Sequence, residues 1–242
     1  MDGSAAPGDG AVPLVAFAGG GPSAALAAIA LLRATTWLRL EYQVVVFDDH
    51  GRRGRGSDLH SAERLDLPAR LLSAFPDRPA HLLEWARLSG LACTPATFLP
   101  RRVYGDYLED TLSATAAWAA PYAALEVRSL RVASARAEEE GVAVQTGGAP
   151  SAVPARALVV ATGDPHLRTP PLTTGRDPAE GLATCPRGAL IGTGGRAERH
   201  LFAVGPVRRG ARKDTVPHTR DHAERLAWLI CDTVLRSRAA DR

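Results

Sequence analysis

An α/β fold with a parallel central sheet is predicted by three features of this sequence. An apolar run over residues 12–18 ends in Gly19-Gly20-Gly21, an Ala- and Leu-rich stretch without internal Gly or Pro follows over residues 23–38, and further apolar runs at 43–47 and 157–161 stop at Asp48 and near Gly163. Short continuous apolar runs of this kind suit strands covered on both faces, and the glycine cluster between the first run and the helix is where such a chain must turn sharply.

The elements follow in order. Residues 12–18 read as a buried strand, 23–38 as a helix packed on the sheet, and 43–47 as a second strand, together one βαβ unit. The polar, glycine-rich stretch 51–66 reads as a loop, with a helical turn at 60–65. Helices are expected at 79–88 and 103–118, the second with Val103, Tyr107, Leu108 and Leu112 on one face. Residues 125–132, 133–137 and 141–145 read as short strands of a small β-meander. Residues 157–161 form another buried strand, 164–186 are dense in Pro, Gly and Thr, 201–204 form a last strand and 219–235 a last helix. One domain over 13–236 is expected between tails at 1–12 and 237–242, with no internal repeat.

Composition narrows the class. The chain has 242 residues, 45% hydrophobic and 23% charged, which suits one substantial core but is short for two nucleotide-binding domains. No apolar stretch is long enough to span a bilayer, and residues 1–10 lack the basic start and apolar run of a secretory signal, so a cytoplasmic protein without a membrane partner is expected. Cys93, Cys185 and Cys231 are far apart and form no Cys-x-x-Cys pair, which argues against a disulfide scaffold, a thiol redox centre or a metal site. The net charge is +3, but its basic residues are almost all arginine, spread among acids and without interleaved aromatics, so nucleic acid is not the expected partner.

Chemistry concentrates at the glycine turn. Gly19-x-Gly21-x-x-Ala24 follows a strand and opens a helix, and Asp48 closes the next strand. In a dinucleotide site the first glycine makes the tight turn, the second lets backbone approach the pyrophosphate, and a small residue at the third position allows close packing of helix on strand. The helix N-terminus offers free N–H groups to the phosphates, and an acid placed like Asp48 accepts hydrogen bonds from the ribose hydroxyls. A dinucleotide, FAD before NAD(P), is the expected ligand. The bland alternative is a turn that needs glycine only for its geometry.

Several later segments add to this turn. Val46-Phe47-Asp48-Asp49-His50-Gly51, Phe98-Leu99-Pro100-Arg101-Arg102-Val103-Tyr104-Gly105-Asp106-Tyr107-Leu108, Val160-Ala161-Thr162-Gly163 and Leu201-Phe202-Ala203-Val204-Gly205-Pro206 occur in that order. With the glycine turn they resemble the bacterial FAD/NAD(P)-binding flavoproteins of the two-dinucleotide-domain superfamily, relatives of the N-hydroxylating monooxygenases. The resemblance implies a Rossmann-like FAD-binding domain in which Gly19, Gly20, Gly21, Pro22, Ser23 and Ala24 hold the pyrophosphate and Asp48 the ribose. It further implies that Val127 offers a backbone contact to adenine and that Thr162 and Gly163 pass close to the cofactor, and His50, which matches a family position, is structural or near the pyrophosphate. Arg55, between Gly54 and Gly56, could approach the cofactor or be a solvated loop charge. Gly205 and Pro206 stand where relatives have Gly-Asp, and the helix start at Val216 and Pro217 would face the flavin pyrimidine edge.

Longer members of the family place an NAD(P) domain between the Ala-Thr-Gly turn and the last strand. Here the interval between Gly163 and Leu201 falls short of the ~50 residues a domain needs, and Gly192-Thr193-Gly194-Gly195 is better read as a tight loop. That domain is therefore expected to be absent between residues 164 and 200.

Among individual side chains, His218 could act as general base or substrate hydrogen-bonder, or cap the last helix. Arg101 and Arg102 could brace phosphates or form surface salt bridges. Trp85, Trp118 and Trp228 read as core residues. The leading expectation is an FAD-dependent oxidoreductase of bacterial small-molecule metabolism, transferring hydride to flavin with reoxidation by oxygen or a partner. A monooxygenase fed by external NAD(P)H and a non-catalytic FAD-binding subunit stay open. A homodimer or a partner chain would cover the face left by the missing domain.

Overall fold

The computed structural model describes residues 12–51, 54, 63–163, 181–211 and 215–236. Its centre is a six-stranded sheet in the order β10-β11-β9-β1-β2-β5. Strands β1 (Leu14–Ala18), β2 (Tyr42–Phe47), β5 (Ala123–Arg128), β9 (Ala157–Val160) and β11 (Ala197–Ala203) run parallel to their neighbours, and β10 (Ala189–Ile191) closes one edge antiparallel to β11.

Because successive strand residues point to opposite faces, each strand contributes to two cores. Phe17, Val44, Val46, Val159 and Phe202 face helices α1 (Pro22–Leu38), α3 (Arg101–Ala119) and α4 (Val216–Ile230). Ala16, Ala18, Val45, Phe47, Leu158 and Leu201 face Val132, Ala135, Val142 and Val144 of a three-stranded antiparallel sheet. This explains the continuous apolar runs, since a strand covered by helices on one face and a second sheet on the other has no wet side. Helix α1 is buried nearly all round for the same reason. It lies on the sheet and packs along both α3 and α4.

The second sheet corrects the predicted meander. It consists of β6 (Val132–Glu138), β7 (Gly141–Thr146) and β8 (Val153–Ala155), whereas Leu125 and Val127 belong to β5 in the central sheet. The predicted turn at 60–65 is also corrected where it is described: Arg64 and Leu65 open β3 (Arg64–Pro68), which pairs with β4 (Phe98–Pro100). Residues 60–62 of that turn lie outside the described residues. The last helix begins earlier than predicted and ends in a π-helical turn, Cys231–Leu235.

Two of the three tryptophans expected in the core are exposed. On α3 the buried stripe runs through Tyr104, Tyr107, Leu108, Thr111, Leu112 and Thr115 to Ala119, and Trp118 is turned outward against Trp37 in an edge-to-face pair 6.4 Å apart. Trp228 lies on the outer face of α4. Trp85, on α2 (His81–Leu88), is half-buried and donates to Asp110 Oδ2 at 2.9 Å.

A buried polar cluster ties α2 and α3 to the turn before them. The Tyr107 hydroxyl accepts the Ala74 N–H at 2.9 Å and pairs with His81 Nδ1 at 2.9 Å. Tyr107→Phe leaves the buried Ala74 N–H without its acceptor, which costs about 1–3 kcal/mol. Tyr104 is the internal control, because its hydroxyl is buried with no hydrogen-bond partner among the described residues. We expect urea unfolding to show a lower midpoint at unchanged slope for Tyr107→Phe and a midpoint unchanged or raised for Tyr104→Phe. Equal effects of the two substitutions would contradict the assigned bonding.

Candidate functional site

The strand order reverses beside β1. The chain moves from β1 to β2 and β5 on one side and returns to β9 and β11 on the other. In open α/β sheets the crevice at such a switch point, outside the carboxyl ends of the strands, is where ligands bind. The segments leaving β1 and β9 meet there. Gly19 has φ +103°, and a Cβ at this position would lie 2.7 Å from the Ala161 carbonyl oxygen and 3.1 Å from the Thr162 Cα. The Gly19 N–H donates to the Phe47 carbonyl at 2.8 Å, which ties the turn to β2 as well.

Around this contact the turn is shaped to receive an anion. Gly21 is the N-cap of α1 and supplies no side-chain cap, Pro22 opens the helix and has no N–H, and no acid occupies the first turn. The helix N-terminus therefore keeps its donors and its positive dipole for something else. Gly20 accepts the Gly54 N–H at 2.8 Å, so Gly54 is held against the turn. Ala24 is buried against the sheet, and Ser23 faces Gly205, where φ is +77° and a Cβ would collide with the Ser23 hydroxyl. The Thr162 hydroxyl is buried without a partner among the described residues. A glycine cradle, an uncapped helix and an orphaned hydroxyl together fit the pyrophosphate half of a dinucleotide.

Asp48 stands at the end of β2. Its N–H donates to the Arg128 carbonyl at 3.1 Å, and its Oδ2 accepts the His50 N–H at 3.2 Å, so the carboxylate is braced by its own loop. Val127 pairs with Val46 one step back along β5, beside the ribose position that Asp48 would serve. Gly163, φ +84°, has open space at its Cβ position. Pro206 follows Gly205 in a 3-10 turn, Gly205–Val207, and Val216 and Pro217 form the first turn of α4.

Other candidates are placed differently. The His50 side chain is exposed, and the bond the loop makes at this position is through its backbone. Arg101 forms an ion pair with Glu63 at 3.4 Å, while Arg102 is exposed and makes no hydrogen bond or ion pair to the turn among the described residues. Arg55 lies outside the described residues. His218 takes its capping role: it is the third residue of α4, and its Nδ1 accepts the Thr215 N–H at 3.5 Å in a capping box with the Thr215 hydroxyl. With Nδ1 as acceptor, the proton of a neutral His218 sits on Nε2.

One group of residues was not anticipated. His222, one turn beyond His218, is 1% exposed, and with Arg208, His218, Asp221 and Arg225 it lines a pocket of about 270 Å³. Burial, followed by the charges of Arg208 and Arg225, pushes the His222 pKa down to about 3. The available signal was the i, i+4 spacing of His218 and His222 with Arg225 a turn further on, which puts three donors on one helix face. Among the described residues, no group of three or more His, Cys, Asp or Glu could hold a metal ion, and no helix is long and apolar enough to cross a membrane. The three cysteines are free.

A parallel sheet with a glycine cradle and an uncapped helix at its switch point defines a dinucleotide-binding α/β protein. The family model for FAD-NAD(P)-binding matches residues 16–165, more than half of the chain, and the chain belongs to this family. It is similar in fold to a thioredoxin reductase from Gloeobacter violaceus, at 10% identity and TM-score 0.55, over 91% of this chain and 95% of that one. The thioredoxin reductase of T. acidophilum aligns at 10% identity and TM-score 0.52, over 91% of this chain and 97% of that one. A flavin monooxygenase variant from Stenotrophomonas maltophilia is 23% identical with TM-score 0.45, over 71% of this chain, which spans only 44% of that protein's length. No curated protein sequence matches.

Proposed function

We propose that this chain is an FAD-dependent oxidoreductase acting on a small molecule. The observation that carries the reading is the close approach of Gly19 to Ala161 and Thr162 at the switch point, which leaves no room for a side chain. The backbone of Gly19, Gly20 and Gly21 and the first turn of α1 would hold the phosphates. Asp48 would accept the adenosine ribose hydroxyls, with Val127 beside the adenine, and Thr162 and Gly163 would follow the cofactor toward its reactive end. Gly205 brings the segment after β11 against Ser23, so the first turn of α4, at Val216 and Pro217, would direct its positive end at the flavin pyrimidine edge. The exposed His218, with its Nδ1 taken by the helix cap, would offer Nε2–H as a donor able to orient a substrate. The cofactor would supply a reversible hydride acceptor.

With no second glycine turn in the sequence between Gly163 and Leu201, we assign the source of electrons to the substrate itself or to an external donor. The visible spectrum of the purified chain, before and after incubation with FAD and desalting, tests the reading. We expect retained flavin absorbance. A colourless protein that retains no flavin overturns it. Stopped-flow mixing of the loaded protein with NADPH then separates the electron sources, since rapid bleaching shows an external nicotinamide serving directly and its absence leaves the substrate as donor.

A further inference from the structure

The last two turns of α3 lack the polar outer face of an ordinary surface helix. No charged residue occurs from Thr111 to Leu125, and the outward positions Ala114, Ala117, Trp118 and, at the C-cap, Ala120 are apolar and exposed. The inner stripe of the same turns, Thr111, Leu112, Thr115 and Ala119, is buried against the rest of the chain. A helix that is apolar on both sides is one that is covered on both sides. Trp37, near the end of α1, extends this face. It is 75% exposed and meets Trp118, 51% exposed, edge to face at 6.4 Å. Single exposed apolar residues need no explanation, but two adjoining tryptophans beside a charge-free helix face form a patch.

We infer that this face joins two copies of the chain about a two-fold axis. Such a contact sets one patch against its own copy, so any charge inside it would meet a like charge. The patch has none. The exposed charges nearest to Trp37 in sequence, Arg39 and Glu41, differ in sign, so a second copy can match each with its opposite at the rim. The shape is self-complementary as well. The Trp37 ring stands out from α1, and within one turn of Trp118 the Ala114 and Ala117 methyls leave a shallow floor for the ring of the other copy. Aromatic side chains bury about 150–250 Å² each, so covering the exposed parts of both rings removes about 200–300 Å² per copy. That is about a third of the ~800 Å² per partner of a standard interface, and alanines add little area each, so the contact belongs at the weak, reversible end. The end of α1 lies ~25 Å along the helix from the glycine turn, so association leaves the switch point open and does not depend on the flavin reading.

Sedimentation velocity of the full chain, from about 1 to about 200 µM, tests the inference, and a monomer–dimer equilibrium within that range is expected. Ala117→Glu, at an exposed helix position, places two carboxylates inside the contact, and Trp37→Gln removes its largest anchor. Each should weaken dimerisation at least about thirtyfold with the circular dichroism unchanged. Trp228→Gln, which removes an exposed tryptophan from the outer face of α4, should leave dimerisation as it was. A chain that stays monomeric across the range leaves the face to a different partner and overturns the inference. A dimer that survives either substitution, or that is lost equally in Trp228→Gln, overturns it as well. Co-sedimentation with phosphatidylcholine vesicles that requires Trp37 assigns the face to a lipid surface, with the same consequence. A dimer that retains no FAD supports this contact and removes the flavin reading alone.

Discussion

Gly19→Ala should abolish flavin retention and destabilise the chain by about 2–5 kcal/mol. Two effects add. A side chain at φ +103° occupies backbone space unfavourable to L-residues by about 1–2 kcal/mol. The added Cβ would also meet the Ala161 carbonyl at 2.7 Å, and overpacking of this kind costs about 1–3 kcal/mol. The obstacle cannot rotate away. Ala161 directly follows β9 and its N–H donates to the Ala18 carbonyl at 2.9 Å, so relief requires prying β9 from β1 at the point where the cofactor would lie. Gly90→Ala separates the two contributions. Gly90 has φ +69° and open space around it, so its substitution shows the backbone penalty without the collision and should leave flavin content intact. Urea unfolding and the ratio of flavin to protein absorbance measure both variants. Equal stability losses for the two would show that the closeness of Gly19 to β9 has no energetic weight.

The same local contacts explain what was legible in the sequence. From Leu14 to Asp48 the strand, turn, helix and strand follow one another without interruption, and each residue's task is set by neighbours close in sequence. Ala161, Thr162 and Gly205 were legible through motifs, although their meeting with Gly19 and Ser23 depends on parallel pairing that no local pattern states. The strands that were assigned to the wrong sheet, as β5 was, or that escaped detection, as β3, β4 and β10 did, are those whose burial is set from elsewhere. β5 alternates as Leu125-Glu126-Val127-Arg128, with an Arg128–Glu126 ion pair at 2.8 Å, and this half-wet pattern resembles a hairpin strand although it pairs parallel with β2. β3 carries Arg64 and Asp66, and β4 and β10 are each three residues long, too short for a period to show. The pocket was the least legible feature. Arg208 follows a 3-10 turn and His222 comes from α4, and only the docking of that helix against the turn at Gly188 buries the imidazole.

That burial carries the other large expected effect, an acid-sensitive stability. In an unfolded chain a histidine ionises near pH 6.5. In the native chain burial, reinforced by the positive charges of Arg208 and Arg225, holds the His222 pKa at about 3. Between these values the unfolded chain takes up a proton that the native one refuses, so stability is complete above pH 6.5 and declines as pH falls toward 3. At about 1.4 kcal/mol per pH unit, the loss reaches about 2–3 kcal/mol by pH 4.5. His81 and His200 also have lowered pKa values, chiefly from burial, and add to the slope in the same direction. They are untouched in His222→Asn, so the difference between the two proteins isolates His222. The expected result is a denaturation midpoint that falls less steeply from pH 7 to pH 4.5 in His222→Asn than in the native sequence, and parallel profiles would exclude the imidazole as the acid-sensitive group. The charges that reinforce burial come from Arg225 on α4 and from Arg208, which follows the turn after β11, and both oppose protonation of the imidazole.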